Sequence, residues 1–149
     1  MSLSLAPARA QDFELLLALR ILVMQPQLER IGRFDPIRAR ERFAKVFNPD
    51  TARLIMAGGI QIGCVGMTPG TPDWSLDYLY LEPELQGRGI GGRVLDWVLA
   101  EADQAGAPVV VEVLRNSPAI RLYERAGFKQ FDMKEHDVYL RRAAAKPTG

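Results

Sequence analysis

The sequence predicts a single mixed α/β domain, and three observations carry that expectation. The elements run as one strand, two helical stretches, a strand meander and then an alternating β-α-β-α-β order. A strand-like apolar run at 108–114 lies between two amphipathic helices. The 149 residues contain neither an internal repeat nor a linker-like stretch, and a chain of this length can bury roughly 68–70% of its unfolded surface.

The elements follow in order. Ser2 to Pro7 reads as a short first strand. Phe13, Leu16, Leu17, Leu19, Leu22 and Val23 have helical spacing, which predicts a helix from Gln11 to Met24. Pro26 should interrupt it, with a short helical piece through Leu28 and Ile31 after it. Asp35-Pro36 has the pattern of an N-cap with proline at the first helical position. That helix should reach Phe47, with Phe43, Val46 and Phe47 inward. Gly58-Gly59 predicts a two-residue hairpin between strands at 52–57 and 60–68. Trp74 to Leu81 reads as a strand with Leu76, Tyr78 and Tyr80 on one face and Ser75, Asp77, Leu79 and Leu81 on the other.

After a loop at 82–88, Gly89 to Ala105 predicts a helix with Ile90, Val94, Trp97, Val98 and Ala102 buried, ended by Gly106. The β-branched run from Pro108 to Leu114 predicts a strand buried on both faces. Ser117-Pro118 starts another helix, and Gly127 stops it. Closing strands are expected at 128–134 and 138–142. The domain should therefore span 1–142, with 143–149 a flexible tail.

Composition narrows the function. A net charge of +1 is far from the basic balance of a dedicated nucleic-acid binder, so no nucleic-acid partner is expected. Cys64 is the only cysteine and lies in an apolar run, where it reads as a small buried hydrophobe rather than a nucleophile. His136 is the only histidine, which argues against a zinc site and for a loop position. No apolar stretch approaches the roughly 18 residues of a membrane span, and no leader pattern opens the sequence. A soluble, cytoplasmic protein without membrane association is expected.

The chemistry concentrates after the 74–81 strand. Between Gly87 and Gly92, four of six positions are glycine, directly before an amphipathic helix. Glycines allow positive φ and close backbone approach, and a helix N-terminus offers unpaired N–H groups, so the turn is suited to a pyrophosphate. A merely flexible loop fits this density of glycine less well. Arg88 adds a positive charge.

Gly87-x-Gly89-x-x-Gly92 also matches the dinucleotide G-x-G-x-x-G, and Glu112 ends the next strand, where a ribose-binding acid would sit. Two features oppose that reading. Glu82 to Gln86 separate the strand from the first glycine, and the motif sits past the middle of the chain instead of opening a repeated βαβ sheet. A P-loop is excluded because no Gly-Lys-Ser/Thr follows.

Gln86-x-x-Gly89-x-Gly91 resembles the Q/R-x-x-G-x-G/A signature of the GNAT superfamily of N-acetyltransferases, and Leu79-Tyr80-Leu81-x-Pro83 resembles that family's fourth strand. The segment from Asn116 through Ala119, Leu122, Tyr123 and Glu124 to Gly127-Phe128 is similar to its N-x-x-A-x-x-L-Y-E-x-x-G-F block. The resemblance implies a mostly antiparallel, twisted sheet of six to seven strands, with a splayed parallel pair at the cofactor cleft and about four flanking helices. It implies acetyl-CoA as donor and a primary amine of a small molecule or peptide as acceptor. Homodimers are common among such proteins.

The same resemblance assigns roles. Backbone groups of the strand through Leu79, Tyr80 and Leu81 would pair with the pantetheine arm. Backbone amides of Gln86, Gly87, Arg88, Gly89, Ile90, Gly91 and Gly92 would hold the pyrophosphate. Asn116 and Ala119 fall in the cofactor-contacting block, and Tyr123 matches the tyrosine that protonates the departing thiolate; Tyr123 also reads as a core residue of its helix. The family's frequent glutamate base falls on Ser75, which cannot act as one, leaving Asp77, Glu112 or a water relay. Glu29, Arg30, Arg33, Asp35, Arg38, Arg40 and Arg42 cluster on the early helices, where most should form a solvated face. A non-catalytic acyl-CoA-binding module and a nucleotide-cofactor enzyme are the competing readings.

Overall fold

In the computed structural model, residues 2–145 are described. Seven strands form one sheet: β1 (Leu3–Pro7), β2 (Ala52–Ala57), β3 (Ile60–Thr68), β4 (Trp74–Leu81), β5 (Val109–Leu114), β6 (Lys129–Met133) and β7 (Asp137–Arg142), in the order β1-β2-β3-β4-β5-β7-β6. β4 and β5 are parallel, registered from Trp74↔Val109 to Leu76↔Val111. The pairs β1–β2, β2–β3, β5–β7 and β6–β7 are antiparallel. Four helices accompany the sheet: α1 (Phe13–Arg30), α2 (Pro36–Val46), α3 (Ile90–Gln104) and α4 (Ala119–Arg125). None among the described residues is long and apolar enough to cross a membrane.

The chain divides into two compact units: the residues up to Gly66 with Tyr78–Arg88, and Met67–Asp77 with the residues from Gly89 onward. In the first unit, Leu16, Leu17 and Leu19 of α1 pack with Phe43 of α2, Ala52, Cys64, Tyr78 and Tyr80. An aromatic file runs through this core. Ring centroids are 5.4 Å apart for Phe13–Phe43, 5.3 Å for Phe43–Tyr78 and 5.6 Å for Tyr78–Tyr80. Asp35 caps α2 by accepting the Ile37 N–H, as its Asp-Pro pattern requires. Gly58 and Gly59 both have positive φ, 57° and 83°, the geometry of a tight β2–β3 turn.

Pro26 does not interrupt α1, which continues to Arg30. A proline inside a helix costs about 3 kcal/mol. Val23 and Met24, packed against the core just before it, hold the helix in line, and the Gln25 side-chain amide donates to the Glu29 carboxylate across the proline. Leu22, expected inward, is half exposed.

In the second unit, α3 buries Ile90, Val94, Leu95, Val98, Leu99 and Ala102. Leu95 and Leu99 centre the buried face further round the helix than expected. This leaves Trp97 on the rim, 36% exposed and beneath the Arg93 guanidinium. β5 is not buried on both faces: Val109 and Val111 are buried, Val110 is half-buried and Glu112 is exposed. A β-branched run suits any strand, so it signalled the strand and not its burial. Asp103 and Arg142 form a two-pronged ion pair at 2.8 and 3.0 Å, and the Ala145 N–H also donates to Asp103. Of the expected tail, residues 146–149 lie outside the described residues.

Candidate active site

The end of β4 exposes its backbone unevenly. A Cβ at Gly63 of β3 would lie 2.2 Å from the Tyr80 carbonyl oxygen, and the Glu82 N–H donates to the Ile62 carbonyl at 3.0 Å. Tyr80 and Glu82 therefore direct their backbone groups towards β3. Backbone groups alternate sides along a strand, so those of Leu79 and Leu81 point to the opposite edge.

Beyond Leu81 the chain makes one short 3-10 turn, Pro83–Leu85, and the Gln86 side-chain amide donates back to the Leu81 carbonyl at 3.2 Å. That bond closes the loop, so the turn that follows starts from a fixed point. Gly87 and Gly89 then take positive φ, 78° and 83°, with nothing within 4 Å of where a Cβ would stand. Arg88 lies exposed between them. Gly89 is the N-cap of α3, no side chain caps the helix, and no acidic residue occupies its first turn. The positive end of α3 thus carries neither a capping side chain nor a first-turn acid, a setting that suits an anion. Gly91 and Gly92 have helical backbones. Their contribution is a bare first turn, through which a ligand can approach the N–H groups of Ile90, Gly91 and Gly92. These residues fit the pyrophosphate of coenzyme A.

The start of α3 lies against α4, since a Cβ at Gly92 would stand 3.9 Å from Leu122 Cδ1. Asn116 is exposed on the turn from β5 to α4. Ser117 caps that turn: its hydroxyl accepts the Ala119 N–H at 3.1 Å and its N–H donates to the Leu114 carbonyl. Ala119 is half-buried. Tyr123 is buried, with its ring edge-on to Phe128 at 5.5 Å.

The two carboxylates offered as bases differ. Asp77 and Glu112 each follow the registered pair Leu76↔Val111 by one residue, which places both on the same sheet face. Both Asp77 oxygens are engaged, by Thr68 Oγ1 at 2.5 Å and Ser75 Oγ at 2.7 Å. Glu112 is exposed and accepts the Tyr139 hydroxyl at 2.6 Å. That bond raises the Tyr139 pKa, because Glu112 holds the phenol proton.

Cys64 is fully buried, and burial pushes its thiol up to about 12, so it has no thiolate to offer. His136 sits half-buried in the loop before β7. Of the charged cluster on the early helices, Arg40 makes a two-pronged pair with Glu14, Glu29 takes the Gln25 amide and Asp35 is a helix cap.

Three features escape a reading of the sequence. The Gln86–Leu81 bond is one. Gly63 and Gly66 are the second: a Cβ at Gly66 would stand 2.6 Å from the Tyr78 ring. Isolated glycines inside a strand signal such close approach. The third is Arg20, whose guanidinium donates to the Tyr80 hydroxyl at 2.8 Å. Its only trace in sequence is a cation set among the leucines of α1.

Comparison with known proteins agrees with this geometry. The PaiA N-acetyltransferase of Thermoplasma acidophilum, solved in complex with coenzyme A, superposes with a TM-score of 0.77 at 18% identity, over 96% of this chain and 99% of that one. An acetyltransferase from Thermus thermophilus gives 0.71 at 22% identity, over 96% and 97%. The ribosomal-protein-S18-alanine N-acetyltransferase of Escherichia coli gives 0.70 at 16% identity, over 99% and 97%. At these identities the likeness is one of fold. No curated protein matches the chain in sequence. The family model for the acetyltransferase (GNAT) domain matches residues 50–130, more than half of the 149, and takes in β4, the glycine turn and α4. The chain belongs to the GNAT family of acetyltransferases, whose acyl donor is acetyl-CoA.

Proposed function

We propose that the protein transfers the acetyl group of acetyl-CoA directly to a primary amine of a small molecule or peptide. The observation that carries this reading is the continuity of β4 with the turn after it. Leu79 and Leu81 present backbone groups away from β3, and within a few residues the bare N-terminus of α3 follows. An extended pantetheine arm ending in a pyrophosphate asks for that sequence of groups.

Acetyl-CoA supplies the activated acyl group as a thioester. The backbone of Leu79 and Leu81 would align the pantetheine arm, whereas Tyr80, expected to join them, turns its backbone towards β3; the amides of Gln86 to Gly92 would hold the pyrophosphate. Asn116 and Ala119 contact the donor from the α4 side. A Leu79 N–H bonds the carbonyl oxygen of the acetyl group as charge develops on it. The amine nitrogen would bond to the acetyl carbon as the carbon–sulfur bond breaks, the thiolate would take the Tyr123 proton, and the proton released by the acylated nitrogen would return through solvent to Tyr123. On reference pKa values, roughly 8.5 for a thiol and about 10 for tyrosine, the transfer from Tyr123 to the thiolate is slightly uphill.

An amine with a pKa near 10 costs about 4 kcal/mol to deprotonate at pH 7. We assign its proton to a water relay on the face shared by Asp77 and Glu112. Asp77 already accepts two hydroxyls and Glu112 lies in solvent, so neither stands as an open base. The domain spans 1–142 in this reading, the setting is cytoplasmic, and a homodimer is compatible with it.

The test is a broad amine panel with acetyl-CoA, following released CoA by its thiol. Amine-dependent release is expected. Saturable acetyl-CoA binding without release on any amine would replace this reading with a non-catalytic acyl-CoA-binding module.

A further inference from the structure

Arg20 differs from three arginines that pair with carboxylates. Arg40 pairs with Glu14, Arg141 with Asp73 and Arg142 with Asp103. Arg20 is half-buried, yet no carboxylate among the described residues pairs with it. Its Nη1 donates to the Tyr80 hydroxyl at 2.8 Å, and its guanidinium carbon lies 5.8 Å from the Phe43 ring centre and 6.0 Å from that of Tyr80. The Tyr80 hydroxyl in turn donates to Met24 Sδ at 3.4 Å. Burial keeps this tyrosine protonated, so no phenolate neutralises the cation.

A guanidinium carries five N–H donors, and among the described residues a protein acceptor engages one of them. The aromatic faces and the Tyr80 bond fix its plane. What remains is a rigid fork matched to a planar oxyanion, with one positive charge to neutralise. A single cation suits a carboxylate better than a doubly charged phosphate. Tyr80 is also the residue between Leu79 and Leu81, so the fork is tied to the part of β4 proposed to hold the donor.

We propose that Arg20 binds a carboxylate of the acceptor, making the substrate an amine that also carries a carboxylate. This rests on the amine-acetylation reading and narrows its substrate class.

The experiment uses the full chain and matched probes: glycine, β-alanine and methionine, each against its carboxamide. With acetyl-CoA present, kcat/KM should favour the carboxylate member of at least one pair by about tenfold or more, the worth of one charged, two-pronged contact. Arg20→Gln should bring that ratio close to one, chiefly through KM, and Arg20→Lys should restore part of it. Equal use of both members by the wild-type protein would overturn the proposal, as would an undiminished preference in Arg20→Gln. Calorimetric binding of the same probes separates the two layers. Carboxylate binding that Arg20→Gln abolishes, with no transfer to any amine, would leave the fork standing and remove the acetylation reading. Transfer to amines with no Arg20-dependent carboxylate preference would do the reverse.

Discussion

The Gln86 side chain reaches back across the turn and donates to the Leu81 carbonyl, 3.2 Å away. The signature glutamine is thus tied to the protein's own strand end and acts by fixing where the glycine turn begins. Gln86→Ala should raise the Kd for acetyl-CoA about tenfold, in line with the loss of one hydrogen bond of about 1 kcal/mol plus the freedom the loop gains. Gln86→Glu should be worse, because it sets a carboxylate against a carbonyl oxygen and near the proposed anion site. Titration calorimetry distinguishes the two.

The glycines divide by mechanism. At Gly66 a Cβ would meet the Tyr78 ring at 2.6 Å, and at Gly63 it would meet a backbone oxygen at 2.2 Å. Gly66→Ala should cost about 1–3 kcal/mol of stability, as overpacking does, and Gly63→Ala more, since the strand cannot yield as a ring can. Gly89→Ala meets no neighbour, so its cost should be the strain of positive φ alone, about 1–2 kcal/mol. Urea unfolding of the three variants reads this order directly.

Tyr123→Phe keeps the edge-on packing with Phe128 and deletes the hydroxyl. Turnover should fall by about 10²-fold or more with little change in acetyl-CoA affinity. Unchanged turnover would leave Tyr123 as a core residue only. A fall confined to acetyl-CoA affinity would make it a binding residue.

Alkaline pH should loosen the first unit. Burial raises Cys64 from 9.0 and Tyr80 from 10.0, each to about 12. Both are acids whose neutral form the fold prefers. Their contribution is therefore complete below pH 9 and is lost as pH climbs from about 9 towards 12, where the unfolded chain ionises first. Melting temperature should decline across that interval. Cys64→Ala should flatten the early part of the decline, even though it lowers the starting stability by opening a small cavity.

Much of this was legible locally. Asp35-Pro36, Gly58-Gly59 and Gly127 act through their own backbones, and each marks its boundary in the structure. The turn from Gln86 to Gly92 was readable because its conformation rests on the backbone freedom of its own glycines. What was not legible depends on distant residues. Pro26 reads as a stop unless the packing of Val23 and Met24 is known. The burial of Trp97 depends on which side of α3 meets the core. Arg20 meets Tyr80 from sixty positions away, and nothing in the leucines around it announces a phenol and two aromatic faces.

The most direct test of the central claim is amide hydrogen exchange with and without acetyl-CoA. If the turn holds the donor's pyrophosphate, the amides of Gly87 to Gly92 should exchange markedly more slowly when acetyl-CoA is bound, and NAD should leave them unchanged. Saturable acetyl-CoA binding with no protection at these amides would contradict the account, as would protection by NAD in place of acetyl-CoA.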